Sequence, residues 1–348
     1  MGMDKMLAAR MQGGTRELVL EEVAVPEPGP SEVRVRVRAC GICLSDIHLL
    51  DGSLGTPNQT VTLGHEAAGE VDLAGERVQG WQPGERVVIG AGRTCGLCRD
   101  CQRGRPEGCA GGQILGVNYD GGWAPYVVVP AAALAPAPAD VPFEQAAILA
   151  DAVSTPYAGL IERAELRPAE AVGLWGIGGL GVHAVQIARM LGAAPVIAVD
   201  PLASARERAL SVGADLAIDP TTEDVRARVL EATDGRGLDV ACDVVGLNAV
   251  MKEAATCLGR AGRVVMIGLS REPLELGPGV LLGLGRHAVL GHLGYRREHL
   301  DDLVRLVQHG RLDLTASVSE VIPLEEIHRG VRTLATKEGD PIRIVVTP

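Results

Sequence analysis

The six residues Gly176-Ile177-Gly178-Gly179-Leu180-Gly181 constrain this chain more than any other feature, because they follow the apolar stretch 171–175 and open a helical one, 179–191. A GxGxxG spacing by itself is weak. Between a strand and a helix, however, the missing side chains let the backbone turn tightly, approach a diphosphate and pack helix against strand. The helix N-terminus then offers N–H groups and positive potential to an anion. Asp200 closes the next apolar run, 196–199, where a carboxylate can accept hydrogen bonds from the adenosine ribose hydroxyls. A 2′-phosphate there would meet like charge, so NAD is expected in preference to NADP. Arg206 and Arg208 follow closely and could meet a cofactor phosphate.

The pattern around this loop supports a parallel sheet wrapped by helices. From about position 168 strand-like and helix-like stretches alternate, with further strands expected at 215–218, 238–245, 263–268 and 288–293. The first third reads differently. Short strands at 16–25, 32–39 and 67–71 are separated by Pro-Gly clusters, which predicts a β-rich domain with irregular loops. Residues 300–306 read as a helix, 342–346 as a final strand that could return to the first domain, and the residues before Leu7 as ragged. The 348 residues suit two domains of ordinary size.

Composition narrows the function classes. With one Phe, three Trp and four Tyr the cores must be aliphatic, and a ligand pocket has few rings for stacking. A net charge of -11 disfavours nucleic acid as a partner. The greasiest stretch, 127–143, is broken by Pro130, Pro136, Pro138 and Pro142, so no membrane span is expected. Asp4, Lys5, Arg10 and Gln12 stand where a secretory signal would need apolar residues, and a cytoplasmic protein is the expectation. In that compartment eight cysteines point to metal ligation or catalysis before disulfides.

Cys95, Cys98, Cys101 and Cys109 lie close together in a Gly-rich loop. Four such thiolates can close a tetrahedral zinc site with no position left for chemistry. An iron-sulfur run would use a shorter last spacing followed by Pro, whereas Ala110 follows Cys109. Cys40, Cys242 and Cys257 read as packing residues. A second set, Cys43, His65, Glu66 and Asp151, is scattered, and each member taken alone is ambiguous.

Together with GIGGLG and the cysteine loop, the segments GICLSDIH, GHE and ADA at 41–48, 64–66 and 150–152 resemble the zinc-containing alcohol dehydrogenases of the medium-chain dehydrogenase/reductase family, in order and over nearly the whole chain. The resemblance implies a GroES-like β-rich catalytic domain at 1–150 with 296–348, its structural zinc loop at about 92–110. A Rossmann NAD-binding domain at 151–295 completes an α/β architecture, with the active site in the cleft between the two. It implies two zinc ions per subunit. The catalytic one is held by Cys43, His65 and Asp151, with Glu66 as an occasional ligand; most relatives carry Cys where this chain has Asp151. Asp46 would orient His65, and Arg343 would lie near the pyrophosphate and Glu66.

The implied chemistry is zinc-assisted hydride transfer between an alcohol and NAD, with Ser45 and His48 as the proton relay. Leu44 replaces a basic residue that many relatives aim at the cofactor phosphates, so weaker NAD binding is expected. Motif alignment places Leu54, Ala91, Ile114, Trp123 and Leu269 around the substrate pocket. The small Ala91 suggests room for a secondary or cyclic alcohol. The stretch ADAVSTPY is similar to 6-hydroxycyclohex-1-ene-1-carbonyl-CoA dehydrogenases, so a ring alcohol carried on CoA is a rival, with Arg93, Arg286, Arg296 and Arg297 as basic residues at the pocket mouth. A zinc-free reductase of the same fold and a non-catalytic NAD- or redox-sensing member are further rivals. A homodimer or homotetramer is expected from the relatives.

Overall fold

A computed structural model describes residues 4–54 and 59–348. It resolves into two units, Met1–Ser154 with Tyr295–Pro348, and Thr155–Gly294.

The first unit is built on a seven-stranded sheet. Its longest strand, Glu32–Ile42, reads EVRVRVRACGI, and the alternation is carried into three dimensions: Val33, Val35 and Val37 are buried in the core. The intervening arginines take the opposite face, where Arg34 reaches Asp72 at 2.7 Å and Arg38 reaches Glu70 at 2.6 Å. This strand pairs antiparallel with Glu66–Ala74 and Tyr126–Pro130, and register shifts interrupt the first of these ladders. Beyond the shifts the alternation stops and Ala39 to Ile42 are all buried, which delivers Cys43 to the interior end of the sheet. Beyond Tyr126–Pro130, on the edge opposite Glu66–Ala74, the end of the strand pairs with Ile344–Thr347. A separate strand, Lys5–Met11, pairs with Leu18–Ala24 and begins earlier than the raggedness expected before Leu7; Met1 to Met3 lie outside the described residues.

The second unit holds a six-stranded parallel sheet in the order 216–218, 196–199, 172–175, 238–243, 258–266, 288–291. The central strands Val172–Trp175 and Val196–Val199 are buried throughout, as a sheet covered on both faces requires. The order reverses between Val172–Trp175 and Leu238–Asp243, and ligands bind outside the strand ends at such a point. This is the doubly wound Rossmann topology. The helix Gly181–Met190 follows the glycine loop and buries Val182, Val185 and Ile187. Among the described residues no helix is long and apolar enough to cross a membrane.

Candidate active site

Cys43 ends the approach from strand Glu32–Ile42 and caps the helix Leu44–Leu50. Its N–H donates to Asp46 Oδ2 at 2.9 Å, so the helix start and the Asp46 side chain are fixed together. His65 and Glu66 come from the adjacent strand edge. A Cβ on Gly41 would lie 2.0 Å from Glu66 Oε2, so any larger residue would displace the buried carboxyl. Asp151 arrives on a π-helical turn, Leu149–Val153, inserted after the helix Phe143–Ile148. Such bulges re-aim side chains and recur at functional sites.

One donor atom from each of Cys43, His65, Glu66 and Asp151 lies within 4.8 Å of the others. Asp151 Oδ2 accepts from Cys43 Sγ at 3.4 Å and stands 3.6 Å from His65 Nε2. The other ring nitrogen, His65 Nδ1, is 3.2 Å from Asp46 Oδ1. Behind this set Glu66, 0% exposed, faces Arg343, 2% exposed, at 3.3 Å, and Arg343 Nη1 also donates to the Ile42 carbonyl at 3.0 Å. Neither Glu66 oxygen has a hydrogen bond among the described residues. Three acidic donors and an imidazole packed this closely, with buried oxygens left unsatisfied, suit a divalent cation.

The electrostatics say the same. Burial pushes the Glu66 carboxyl up to about 8, against the opposing pull of Arg343. For His65, burial disfavours the imidazolium, yet Asp46 foremost, then Asp151 and Cys43, hold its pKa well above the usual histidine range. In the metal-free cluster, protons thus occupy positions that a cation would otherwise neutralise.

Cys95, Cys98, Cys101 and Cys109 converge in the same way, their sulfurs within 4.8 Å of one another. Backbone N–H groups of Cys101 and Ala110 lower the Cys98 thiol to about 6, while desolvation and then the neighbouring thiols at Cys109 and Cys98 push Cys101 up to about 12. Cys95 is also held below the usual thiol range, by the backbone N–H groups of Leu97 and Cys98. Among the described residues this set consists of the four cysteines, with no histidine or carboxylate, so a closed site fits.

Ser45 Oγ lies 3.2 Å from His65 Nε2. His48, three residues on in the same helix, is partly exposed, its Nδ1 3.7 Å from Asp51. In the second unit the glycine loop is held by Asp200, whose Oδ2 accepts from Ile177 N at 2.7 Å and whose Oδ1 accepts from Leu202 N at 2.9 Å. A Cβ on Gly178 would meet nothing within 4 Å, leaving an open cradle beside the loop that suits a diphosphate, whereas one on Gly181 would strike the Gly176 carbonyl at 1.8 Å. The Gly179 carbonyl lies 2.8 Å from His183 Nδ1, and Leu180 caps the helix.

One expectation, Trp123 in the pocket, needs correcting, and the other expected residues lie as follows. Trp123 is 0% exposed in the core of the first unit, its indole N–H donating to the Gly41 carbonyl, so its ring serves packing there. Leu54 also packs against that core, while Ile114 and Leu269 are exposed. Ala91 is buried and its N–H donates to Tyr295 Oη at 3.0 Å. Arg206 is engaged with Asp219 at 3.1 Å and with the carbonyls of Asp200 and Pro201. Arg343 is enclosed with Glu66 and Ile42, a setting that serves the carboxylate. Of the arginines considered for a CoA ester, Arg93 pairs with Glu32, Arg296 with Glu107 and Arg297 with the Leu134 carbonyl. Sequence reasoning missed Tyr295, which feels the fields of Asp151 and His65; an isolated tyrosine before a helix carries no pattern that would reveal it.

Comparison with known proteins agrees with this geometry. Residues 29–139 match the family described as alcohol dehydrogenase GroES-like domain, and residues 179–309 match zinc-binding dehydrogenase. The chain is 34% identical to an L-threonine 3-dehydrogenase of Pyrococcus abyssi, covering 89% of this chain and 90% of that one. It is 30% identical to an NAD-dependent alcohol dehydrogenase of Saccharolobus solfataricus, covering 94% and 96%. A solved NAD-dependent alcohol dehydrogenase superposes with a TM-score of 0.90 at 32% identity, covering 99% of this chain and 100% of the other.

Proposed function

The chain belongs to the zinc-binding alcohol dehydrogenases of the medium-chain dehydrogenase/reductase family, and from that premise we propose that it transfers a hydride between a secondary or cyclic alcohol and NAD. The observation that carries the reading is the convergence of Cys43, His65, Glu66 and Asp151 within 4.8 Å. We assign the catalytic ion to Cys43, His65 and Asp151, with Glu66 in reserve, and a second, structural zinc to the four cysteines.

When bound, the zinc supplies Lewis acidity toward a substrate oxygen and NAD supplies the hydride acceptor. The remaining work belongs to the chain. Asp46 fixes the ring of His65 through Nδ1 and leaves Nε2 as the donor. Ser45, within reach of that Nε2, takes the hydroxyl proton, and His48 at the solvent side passes it on. Asp200, anchored by two backbone N–H groups, disfavours a 2′-phosphate by its charge, which supports NAD over NADP. Arg206 is already neutralised by Asp219, which weighs the same way. The engaged arginines Arg93, Arg296 and Arg297 weigh against a CoA-bound substrate.

The relatives named L-threonine 3-dehydrogenase favour a second reading, in which the alcohol carries a neighbouring amine. The test is turnover with NAD and NADP on a panel of secondary alcohols, cyclic alcohols and L-threonine, alongside metal analysis. Two zinc ions per chain and NAD-linked oxidation of a simple secondary or cyclic alcohol are expected. Full activity with a single metal, or oxidation of L-threonine alone, would overturn the assignment.

The same family reading includes self-association. The strand Ala288–Gly291 lies at the edge of its sheet, near the exposed Leu281, Leu284 and Leu293. A second copy is the expected cover, to be checked by light scattering.

A further inference from the structure

Ile177 is gripped by opposite charges on both sides. Its N–H donates to Asp200 Oδ2 at 2.7 Å, and its carbonyl accepts from Arg208 Nη2 at 2.8 Å. Both bonds are charge-assisted, and each controls a different peptide plane.

In a trans peptide the carbonyl of one residue and the N–H of the next point in opposite directions. Drawing the Ile177 N–H toward Asp200 therefore turns the Gly176 carbonyl the other way, toward Gly181. That is why a Cβ at Gly181 would lie only 1.8 Å from that oxygen. By the same geometry, drawing the Ile177 carbonyl toward Arg208 turns the Gly178 N–H away from the helix Ala203–Ser211 that carries the arginine. On Gly178 the space around a notional Cβ is empty to 4 Å.

We propose that Arg208 is a positioning residue for the dinucleotide: it does not bind phosphate itself but sets the Gly178 N–H toward the open side of the loop, where the diphosphate is received. Asp200 and Arg208 act as two halves of one clamp. The proposal rests on the dinucleotide reading of this loop and adds a residue that motif reasoning assigned to direct phosphate contact.

The experiment is titration calorimetry of the purified full-length protein with NADH, for wild type, Arg208→Leu and Arg208→Lys, with thermal unfolding of each in the absence of cofactor. Arg208→Leu should raise the NADH dissociation constant about tenfold or more, the scale of one hydrogen bond to a charged group. Arg208→Lys, which keeps the charge and a donor, should recover part of that loss. In steady state the KM for NAD should rise while kcat at saturating NAD stays near wild type. An affinity within twofold of wild type in both folded variants, or a loss that Lys does not relieve at all, would overturn the proposal. Failure of the wild-type protein to bind NADH would instead sink the dinucleotide reading beneath it.

Discussion

Asp46 Oδ1 stands 3.2 Å from His65 Nδ1, and the other oxygen of the same carboxylate accepts the Cys43 N–H. One buried aspartate therefore sets two residues of the candidate metal site at once. Asp46→Ala should lower metal affinity and kcat/KM by about 10- to 100-fold, the cost usual for removing such a partner. Metal content after dialysis and steady-state kinetics check this, and unchanged values for both would remove Asp46 from the site.

Asp151 sits on a one-turn bulge, so its carboxylate can be changed without breaking a strand. Asp151→Ala should lose the catalytic metal and drop activity by about a hundredfold or more while its circular dichroism stays that of wild type, because a direct ligand matters at least as much as its outer partners. Asp151→Cys should keep two metals. Hydride transfer surviving in the alanine variant would contradict the ligand assignment.

Cys98→Ser should cost the other metal and make the cysteine loop the first site of proteolysis, read by limited digestion and mass spectrometry. The pH dependence follows from the thiol. Its pKa falls from 9.0 to about 6 in the folded loop, so its contribution is full above the unfolded value and is lost as pH drops through about 6. Zinc release to a chelator should accelerate in that window. Release that is flat from pH 8 to pH 5 would argue against thiolate ligation by Cys98.

Glu66 and Arg343 form a buried pair, and removing the guanidinium takes away the partner of the Glu66 carboxyl and of the Ile42 carbonyl. Arg343→Met should destabilise the first unit by about 1–3 kcal/mol in urea unfolding, the cost of leaving buried polar groups unsatisfied. In metal-stripped protein the Glu66 carboxyl is raised from 4.5 to about 8, so its contribution is full below 4.5 and disappears as pH rises through about 8. Glu66→Gln should flatten that decline, and an unaltered slope would show that another group titrates there.

The two glycines of the loop should fail differently. Gly181→Ala forces a contact with the Gly176 carbonyl and should lower the melting temperature before any cofactor is added. Gly178→Ala places its methyl in open space and should leave stability unchanged while weakening NADH binding. Equal effects of the two on stability would mean that the loop relaxes on substitution.

The second unit was legible because its elements announce themselves. The strand at 196–199 and the glycine loop follow from apolar runs punctuated by glycines, and the parallel order follows from their alternation with helices. The cysteine loop was legible because its ligands are neighbours in sequence. The π turn at Asp151 was not, since a bulge changes the helical period over only five residues and leaves no compositional mark. Trp123 shows a further limit. A motif can place a backbone position, but which way the ring points is settled by packing with Cys40 and Gly64, which the position alone does not encode. The partners of Arg206 and Arg208, Asp219 and the Ile177 carbonyl, likewise depend on folded proximity.

The strand Ile344–Thr347 pairs with Glu32–Ile42, directly opposite Cys40 to Ile42. All of the nucleotide unit is therefore synthesised between the two halves of the catalytic sheet. All six strands of the parallel sheet lie within 172–291 and can be complete before the strand that follows Arg343 pairs with Glu32–Ile42. A nascent chain halted just short of Arg343 would hold the whole parallel sheet while the Glu66 carboxyl still lacked its buried guanidinium partner.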